Sequence, residues 1–223
     1  MTRHSRVRTV SALATALASL LVAGCGVPLD DIPRSAMATT TTTGPDEASV
    51  TEAGDSSAFL FFITNNMVVN IVQEVPSSQP DDVLTSLFAG PSAGTSNDIV
   101  SQIPTGTRLL GVRQVGTLLQ VDVSEEFDNL VGTGRTQATA QIVLTATDLS
   151  GIDSVTVLID GQPTQLFSPE SGDTDRAGAC DYLNLFPTED LIMSWPLDSK
   201  AQRHLVTRRS ALTAQCGPTT GSS

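Results

Sequence analysis

The chain has 223 residues, with 24 Asp or Glu against 12 Lys or Arg, and its formal net charge is −12 at neutral pH. This length suits one domain of ordinary size with additional segments. A charge this negative makes nucleic acid and anionic lipid headgroups poor partners, because their phosphates repel it. We therefore expect no nucleic-acid partner.

The first segment, residues 1–24, has the composition of an export signal. Three arginines and no acid precede an apolar or small run, Val10–Gly24. This run is shorter than the ~20 apolar residues that a membrane-spanning helix needs, and it suits the apolar region of a signal peptide. Removal of residues 1–24 takes away the three arginines and changes the net charge from −12 to −15.

A lone cysteine, Cys25, follows the small residues that end this run, "LVAG". The stretch resembles the lipobox of bacterial lipoproteins. The resemblance implies a diacylglyceryl group on the Cys25 thiol, cleavage before Cys25, and acylation of the new amino group. Several acyl chains anchor a protein stably where one gives only marginal binding. We expect a protein held by lipid on the extracytoplasmic face of a membrane; the alternative is an ordinary secretory signal with an incidental cysteine.

Residues 25–57 are rich in Thr, Ser, Pro, Gly and acids, and include five consecutive threonines, Thr39–Thr43. Such a composition cannot bury a core. We predict a disordered tether that holds the folded part away from the membrane.

The first half of the folded part predicts two strands and a helix. "AFLFFIT" (58–64) is apolar on both faces, "MVVNIVQEV" (67–75) alternates, and Asn65-Asn66 between them predicts a turn. A helical stripe then runs from Val83 to Phe88. It has a start like a capping box at Ser78 and a stop at Gly90-Pro91.

The second half repeats this rhythm. Strands at 107–115 and 118–123 flank a two-residue turn, Gly116-Thr117. Apolar residues at helical spacing predict a helix between 134 and 151, with Gln137 and Gln141 on its more polar side. A strand at 153–160, a turn at Asp160-Gly161 and a possible return strand at 163–167 complete the pattern.

The predicted order is therefore β-β-α-β-β-α-β-β. Two amphipathic helices must cover an apolar sheet face to bury their own apolar stripes. We expect an α+β fold, a two-layer sandwich of a mixed, mostly antiparallel sheet with both helices on one face.

Five stretches in this order resemble a GerMN domain: "LTSLFAGPSAG" (84–94), "IPTGTRLLGV" (103–112), "LLQVDVSEEF" (118–127), "QIVLTATDLSGIDSVTVLIDGQP" (141–163) and "CDYLNL" (180–185). The resemblance covers about residues 58–185. It implies an α/β module of exported bacterial proteins that mediates protein association or cell-wall contact, and it carries over no catalytic residue. We therefore expect a domain at 58–187 and a partly ordered extension at 188–223.

The two remaining cysteines, Cys180 and Cys216, form an even pair in an exported chain. An oxidising compartment favours a disulfide between them. Two free thiols are the alternative.

Candidate catalytic and metal-binding residues are few. His204 is the one histidine left after removal of residues 1–24, and no G-x-S-x-G occurs. Too few Cys and His remain for a structural zinc site. The acids Asp122, Glu125, Glu126 and Asp128 fit a solvated loop better than a calcium site. We expect no enzyme activity, no cofactor and no metal.

The extension permits two interpretations. Its apolar residues Leu191, Ile192, Met193 and Trp195 either pack on the domain or form an exposed patch, and the basic cluster Lys200–Arg209 pairs with the domain's acids or with an acidic partner. The leading hypothesis is an anchored envelope protein that presents a non-catalytic interaction module to another exported protein or the cell wall. The alternatives are a ligand-binding accessory or sensor lipoprotein and a carboxylate-dependent hydrolase.

Overall fold

The computed structural model describes residues 56–216. The predicted export signal, the lipid attachment site at Cys25 and almost all of the predicted tether lie outside these residues. Between residues 56 and 216, no helix combines the length and apolar character that crossing a membrane requires.

The described residues form strands and α-helices in an order that begins β-β-α-β-β-α-β-β. The strands are β1 Ser56–Thr64, β2 Met67–Val75, β3 Leu109–Val115, β4 Leu118–Val123, β5 Ser154–Ile159, β6 Gln162–Pro163, β7 Leu166–Ser168 and β8 Gly172–Thr174. The helices are α1 Pro80–Ala89, α2 Gly132–Ala146, α3 Glu189–Ser194 and α4 Ser199–Cys216, with 3₁₀ segments at Glu125–Asn129 and Ala179–Leu185. The predicted α+β class is confirmed.

The strands are distributed over three sheets. β1 and β2 form an antiparallel hairpin, β3-β4-β5-β6 form a four-stranded sheet, and β7 pairs with β8. All pairs are antiparallel except β4 and β5, which run parallel with α2 between them in the chain. The sheet structure is thus mixed and mostly antiparallel, and α1 and α2 pack against each other and against β1.

Turn residues with positive φ fix the hairpin registers. Asn65 and Asn66 have φ of 49° and 62°, and Asp160 and Gly161 have 48° and 75°. Both central residues of a type I′ turn need positive φ, and this turn matches the right-handed twist of the strands that it joins. The predicted two-residue turns therefore lie where the sequence places them.

Helix α1 starts differently from the prediction. Gln79 precedes its first residue, Pro80, and no side chain caps the helix, whereas Ser78 was expected to do so. The hydroxyl of Ser77 donates to the Asp82 carboxylate and accepts from the backbone of Gln79 instead. Proline suits a first helical position because it lacks the N–H that would otherwise need a partner.

Helix α2 lies in the middle of the molecule. Every residue from Thr136 to Ala146 is buried, so the assignment of Gln137 and Gln141 to a polar side is wrong. Thr145 Oγ1 accepts a hydrogen bond from the Phe61 backbone N–H at 3.1 Å, and Gln141 Nε2 donates to the Phe61 carbonyl at 3.2 Å. These polar side chains satisfy a buried edge of β1 that no strand covers, which explains why they are buried.

The predicted return strand at 163–167 is divided. β6 ends at Pro163, and Leu166 belongs to β7, which pairs with β8. Pro163 has no N–H to donate, and one further bond, from the Thr164 N–H to the Val157 carbonyl at 3.1 Å, joins the chain to β5 before it leaves the sheet.

The structure describes residues 188–216 of the C-terminal extension, which contain α3 and α4. Helix α4 packs against β2, α3 and the 3₁₀ segment Ala179–Leu185. Its buried residues Ala201, Leu205 and Leu212 lie on one face of the helix. The helix that bears the basic residues is therefore packed into the hydrophobic core of the domain.

Candidate functional site

An apolar groove lies beside the start of helix α2. Its volume is about 570 Å³, and its lining comes from three separate parts of the chain: the first turns of α2, the β7–β8 hairpin and Leu185. The α2 side is formed by Gly132, Thr133, Arg135 and Thr136, and the hairpin side by Phe167 and Pro169. The volume falls within the range of ordinary ligand pockets.

Two large apolar side chains are exposed beside this groove. Val131, which immediately precedes α2, is 80% exposed, and Phe167 in the groove wall is 50% exposed. Gly132 follows with a φ of +57°, a conformation that side chains rarely adopt, and this bend helps to fix the direction in which α2 enters the fold. Together the groove and these two residues form what we call the groove surface.

Buried polar contacts hold the hairpin wall of the groove in place. Asp181 accepts hydrogen bonds from the hydroxyls of Ser168 and Ser171 and from the backbone N–H of Gly178. The adjacent Tyr182 is fully buried and its hydroxyl donates to the Phe167 carbonyl. Burial, and secondarily the charge of Asp181, raises the pKa of Tyr182. The Asp-Tyr pair of "CDYLNL" is therefore a support for the groove.

Arg135 is the one charged residue in the groove lining. Its guanidinium donates to Asp128 at 3.0 Å and to Thr164 Oγ1 at 2.8 Å, and it lies 5.8 Å from the centre of the Phe127 ring. These contacts fix the side chain and offset its charge.

Three acidic residues neighbour the groove lining. Asp128 lies beside Arg135, Glu170 follows the lining residue Pro169, and Asp173 is the cross-strand partner of Phe167. Directly opposed residues on paired strands carry their side chains on the same face. We call these three residues the acidic rim.

The candidate residues predicted from the sequence are distributed over other parts of the molecule. Cys180 and Cys216 form a disulfide with Cα atoms 5.5 Å apart, which ties the end of α4 to the 3₁₀ segment beneath the groove. Among the apolar residues of the extension, Ile192 is fully buried whereas Met193 is 60% exposed, so packing and exposure both occur.

His204 packs as part of the α4 contact. Its Nδ1 lies 2.6 Å from Asn70 Nδ2 and its Nε2 lies 3.1 Å from Asp148 Oδ1. Its ring stacks on Phe59 with centroids 3.6 Å apart. Both ring nitrogens are engaged by neighbours, and this contact stabilises α4 on the β1–β2 hairpin.

Three of the four acids considered as calcium ligands have separate partners. Asp122 accepts from the Gly161 N–H, Asp128 pairs with Arg135, and Glu126 accepts from the Ser124 hydroxyl, which lowers the pKa of Glu126. Within residues 56–216, no group of three His, Cys, Asp or Glu side chains is placed to hold a metal ion.

Sequence reasoning missed the groove surface. Its residues are up to about fifty positions apart, and only the tertiary fold brings them together. The available signals were an apolar Val131 next to glycine in a loop and a Phe167 at the end of a predicted strand.

Three solved structures are similar to this chain at low sequence identity. The first GerMN domain of the sporulation protein GerM from Bacillus subtilis is 21% identical, with 55% of this chain and 97% of that chain covered and a TM-score of 0.45. The tandem GerMN domains of the same protein are 18% identical, with 48% of this chain and 39% of that chain covered and a TM-score of 0.41. This chain therefore spans about two fifths of that structure. A Clostridium perfringens protein described as a candidate lipoprotein is 21% identical, with 59% of this chain and 93% of that chain covered and a TM-score of 0.41.

No curated protein matches the sequence. The family model described as "Germane: Sporulation and spore germination" matches residues 59–165. The match begins within β1 and ends just before β7, so it contains four of the five stretches on which the resemblance rests and ends before the fifth, residues 180–185. Residues 59–165 of the chain therefore match the GerMN family.

Proposed function

We propose that this chain is a lipid-anchored envelope protein that presents its GerMN domain as a non-catalytic interaction module, and that the groove surface binds another exported protein. The observation that carries the proposal is the juxtaposition of a 570 Å³ apolar groove with the exposed side chains of Val131 and Phe167. Single exposed apolar residues are ordinary, but a contiguous apolar patch with a polar rim is typical of a protein-binding surface.

The groove surface has the parts that an interface needs. An apolar centre contributes binding energy when a partner's side chain displaces water from it. Tyr182 and Asp181 fix the hairpin wall beneath Phe167, so the wall is preorganised and little ordering free energy is lost on binding.

The acidic rim defines the chemistry of the partner. Asp128 and the single lining cation, Arg135, form an ion pair and offset each other's charge, so the net negative charge beside the groove comes from Glu170 and Asp173. Opposite charges across an interface speed association and exclude wrong partners. The partner segment should therefore place a large apolar side chain in the groove and carry Lys or Arg beside it.

The anchoring part of the proposal is supported by the sequence around Cys25. Acyl chains on Cys25 would hold the chain on the membrane, and the polar segment that follows would let the domain reach partners at a distance from the bilayer. High local concentration at one surface favours binding through a modest interface.

Site-specific photocrosslinking of the full chain in its host cells tests the docking part. A benzophenone amino acid replaces Phe167 in the groove wall, or Met193, which is exposed outside the groove, as a matched control. We expect position 167 to crosslink an exported protein through a segment that has an apolar side chain next to Lys or Arg. Mass spectrometry of the crosslinked peptides identifies that segment.

A variant that fills the groove makes the test specific. Thr133→Trp places a large ring in the groove, whereas Thr207→Trp places the same ring on an exposed position of α4. The crosslink should be lost in the first variant and kept in the second. Equal crosslinking from positions 167 and 193 contradicts the proposal, and so does a crosslink that survives Thr133→Trp. A partner segment rich in acidic residues contradicts the charge argument.

A further inference from the structure

A second cavity, of about 500 Å³, lies next to His204 of α4. It is bounded by the start of β1, the start of α1, the loop after α2 and one face of α4. It shares no lining residue with the groove. It is therefore a separate candidate site.

The floor of this cavity is a fixed group of polar side chains. Asp148 and His204 line it with 14% and 22% of their side-chain surface exposed. Arg208 Nε lies 3.6 Å from the Asp148 carboxylate, and its guanidinium also donates to the Thr147 carbonyl at 2.8 Å. The carboxylate charge in the floor is thus compensated from within the protein.

The same contacts argue against catalysis at this floor. Both ring nitrogens of His204 lie within 3.1 Å of a polar neighbour, so the imidazole has no free nitrogen to accept a proton from a ligand. The floor is arranged for binding.

The walls carry hydrogen-bonding groups with unused capacity. The side chains of Ser78, Gln79 and Ser150 make no hydrogen bond to another described residue. Gln114 donates to the carbonyls of Gly116 and Gly151, which leaves its own side-chain carbonyl as an acceptor. Hydroxyl and amide groups both donate and accept, and they match ligands that do the same.

Apolar groups complete the lining. Phe59 and Leu149 are partly exposed and contribute carbon surface among the hydroxyls and amides, whereas Val83 is fully buried and one face of the Phe59 ring is covered by His204. A few polar groups set within an apolar surface are the usual composition of a small-molecule site, in which the polar groups fix the orientation of the ligand.

We infer that this cavity binds a neutral molecule rich in hydroxyl groups, of the size of one or two sugar rings. Sugars present hydroxyls at their edges and a C–H face to apolar side chains, which is the pairing that these walls offer. An anionic ligand would approach the Asp148 carboxylate, and a cationic ligand would approach the Lys200 ammonium, which lies 3.4 Å from the hydroxyl of the lining residue Ser57 and 5.5 Å from the centre of the Phe59 ring. A ligand of either charge therefore meets a like charge at the cavity. This site goes beyond the proposed interaction at the groove and does not depend on it.

The test uses the full chain in detergent, with amide chemical shifts measured during titration with glucose, N-acetylglucosamine and cellobiose, and with glucosamine and glucuronate as charged comparators. We expect a neutral sugar to shift the amides of Gln79 and Ser150 more strongly than either charged sugar does. Ser150→Trp fills the cavity and should weaken that binding by about tenfold or more, equivalent to ~1.4 kcal/mol, whereas Ser210→Trp on exposed α4 surface should not.

Three results would overturn the inference: no shift with any neutral sugar, tighter binding of a charged sugar, or binding that survives Ser150→Trp. Crosslinking from position 167 should be unchanged in Ser150→Trp. This control separates a failure at the cavity from a failure of the proposed docking at the groove.

Discussion

Replacing Thr145 with valine removes one oxygen atom from the centre of the molecule and keeps the shape of the side chain. Thr145 Oγ1 accepts from the Phe61 backbone N–H at 3.1 Å, and both residues are fully buried. After the substitution this N–H has no partner and no access to water. A buried donor left unsatisfied costs about 1–3 kcal/mol of folding free energy.

Thermal unfolding of the full chain in detergent measures this cost. A loss of about 2 kcal/mol lowers Tm by about 4–8 °C in a domain of this size. Gln141→Leu should lower Tm further, because Gln141 donates to the Phe61 carbonyl and accepts from the Gln102 N–H at 2.7 Å. Thr136→Val is the matched control, since Thr136 donates only to a carbonyl of its own helix, Gly132.

The expected order of Tm loss is therefore Gln141→Leu, then Thr145→Val, then Thr136→Val with a small change. If Thr145→Val were no more damaging than Thr136→Val, then the side chains of α2 would not satisfy the edge of β1. The explanation given for the buried polar face of α2 would then be wrong.

Three further outcomes follow from the C-terminal contacts. Reduction of the Cys180–Cys216 disulfide should raise the intact mass by two hydrogen atoms and lower the stability by about 4 kcal/mol for a loop of this length; an unchanged mass would contradict the bond. Tyr182 is the only tyrosine in the chain, so its ionisation can be followed by absorbance. Because burial raises its folded pKa above the unfolded value, its contribution to stability is complete below about pH 10 and declines as the pH rises further; phenolate formation before unfolding would contradict its burial. His204→Ala should lower Tm by several degrees, because Asn70 and Asp148 each lose a hydrogen-bond partner and the free energy of unfolding falls by about 1–3 kcal/mol. The exposed Arg203→Ala should not have this effect.

Local signals in the sequence were sufficient for the hairpins and for the end of α1. Asn65-Asn66 and Asp160-Gly161 tolerate positive φ at both central positions, so the residue types alone specify the turns. The Gly-Pro pair predicted a left-handed stop; Gly90 does follow α1 directly, but its φ of +88° and ψ of −177° lie outside the left-handed helical region.

Long-range effects explain what the sequence did not reveal. The helical spacing of the glutamines on α2 predicts a solvated side of the helix. In the structure Gln141 instead hydrogen-bonds to the edge of β1, about eighty residues away in the chain. Helix α4 has a sparse stripe of small and medium apolar residues, Ala201, Leu205 and Leu212, among many polar ones. The burial of α4 depends on partners that are distant in the sequence, such as Phe59 and Cys180.

The central claim is that lipid on Cys25 holds this GerMN domain at the outer face of a membrane, where the groove surface meets its partner. Mass spectrometry of the mature protein extracted from the membranes of its host tests this claim most directly. The account predicts a chain that begins at Cys25 and carries acyl groups on that residue, and a Cys25→Ser variant that leaves the membrane fraction. A chain that retains residues 1–24 with an unmodified Cys25, in cells that process lipoproteins, would contradict it.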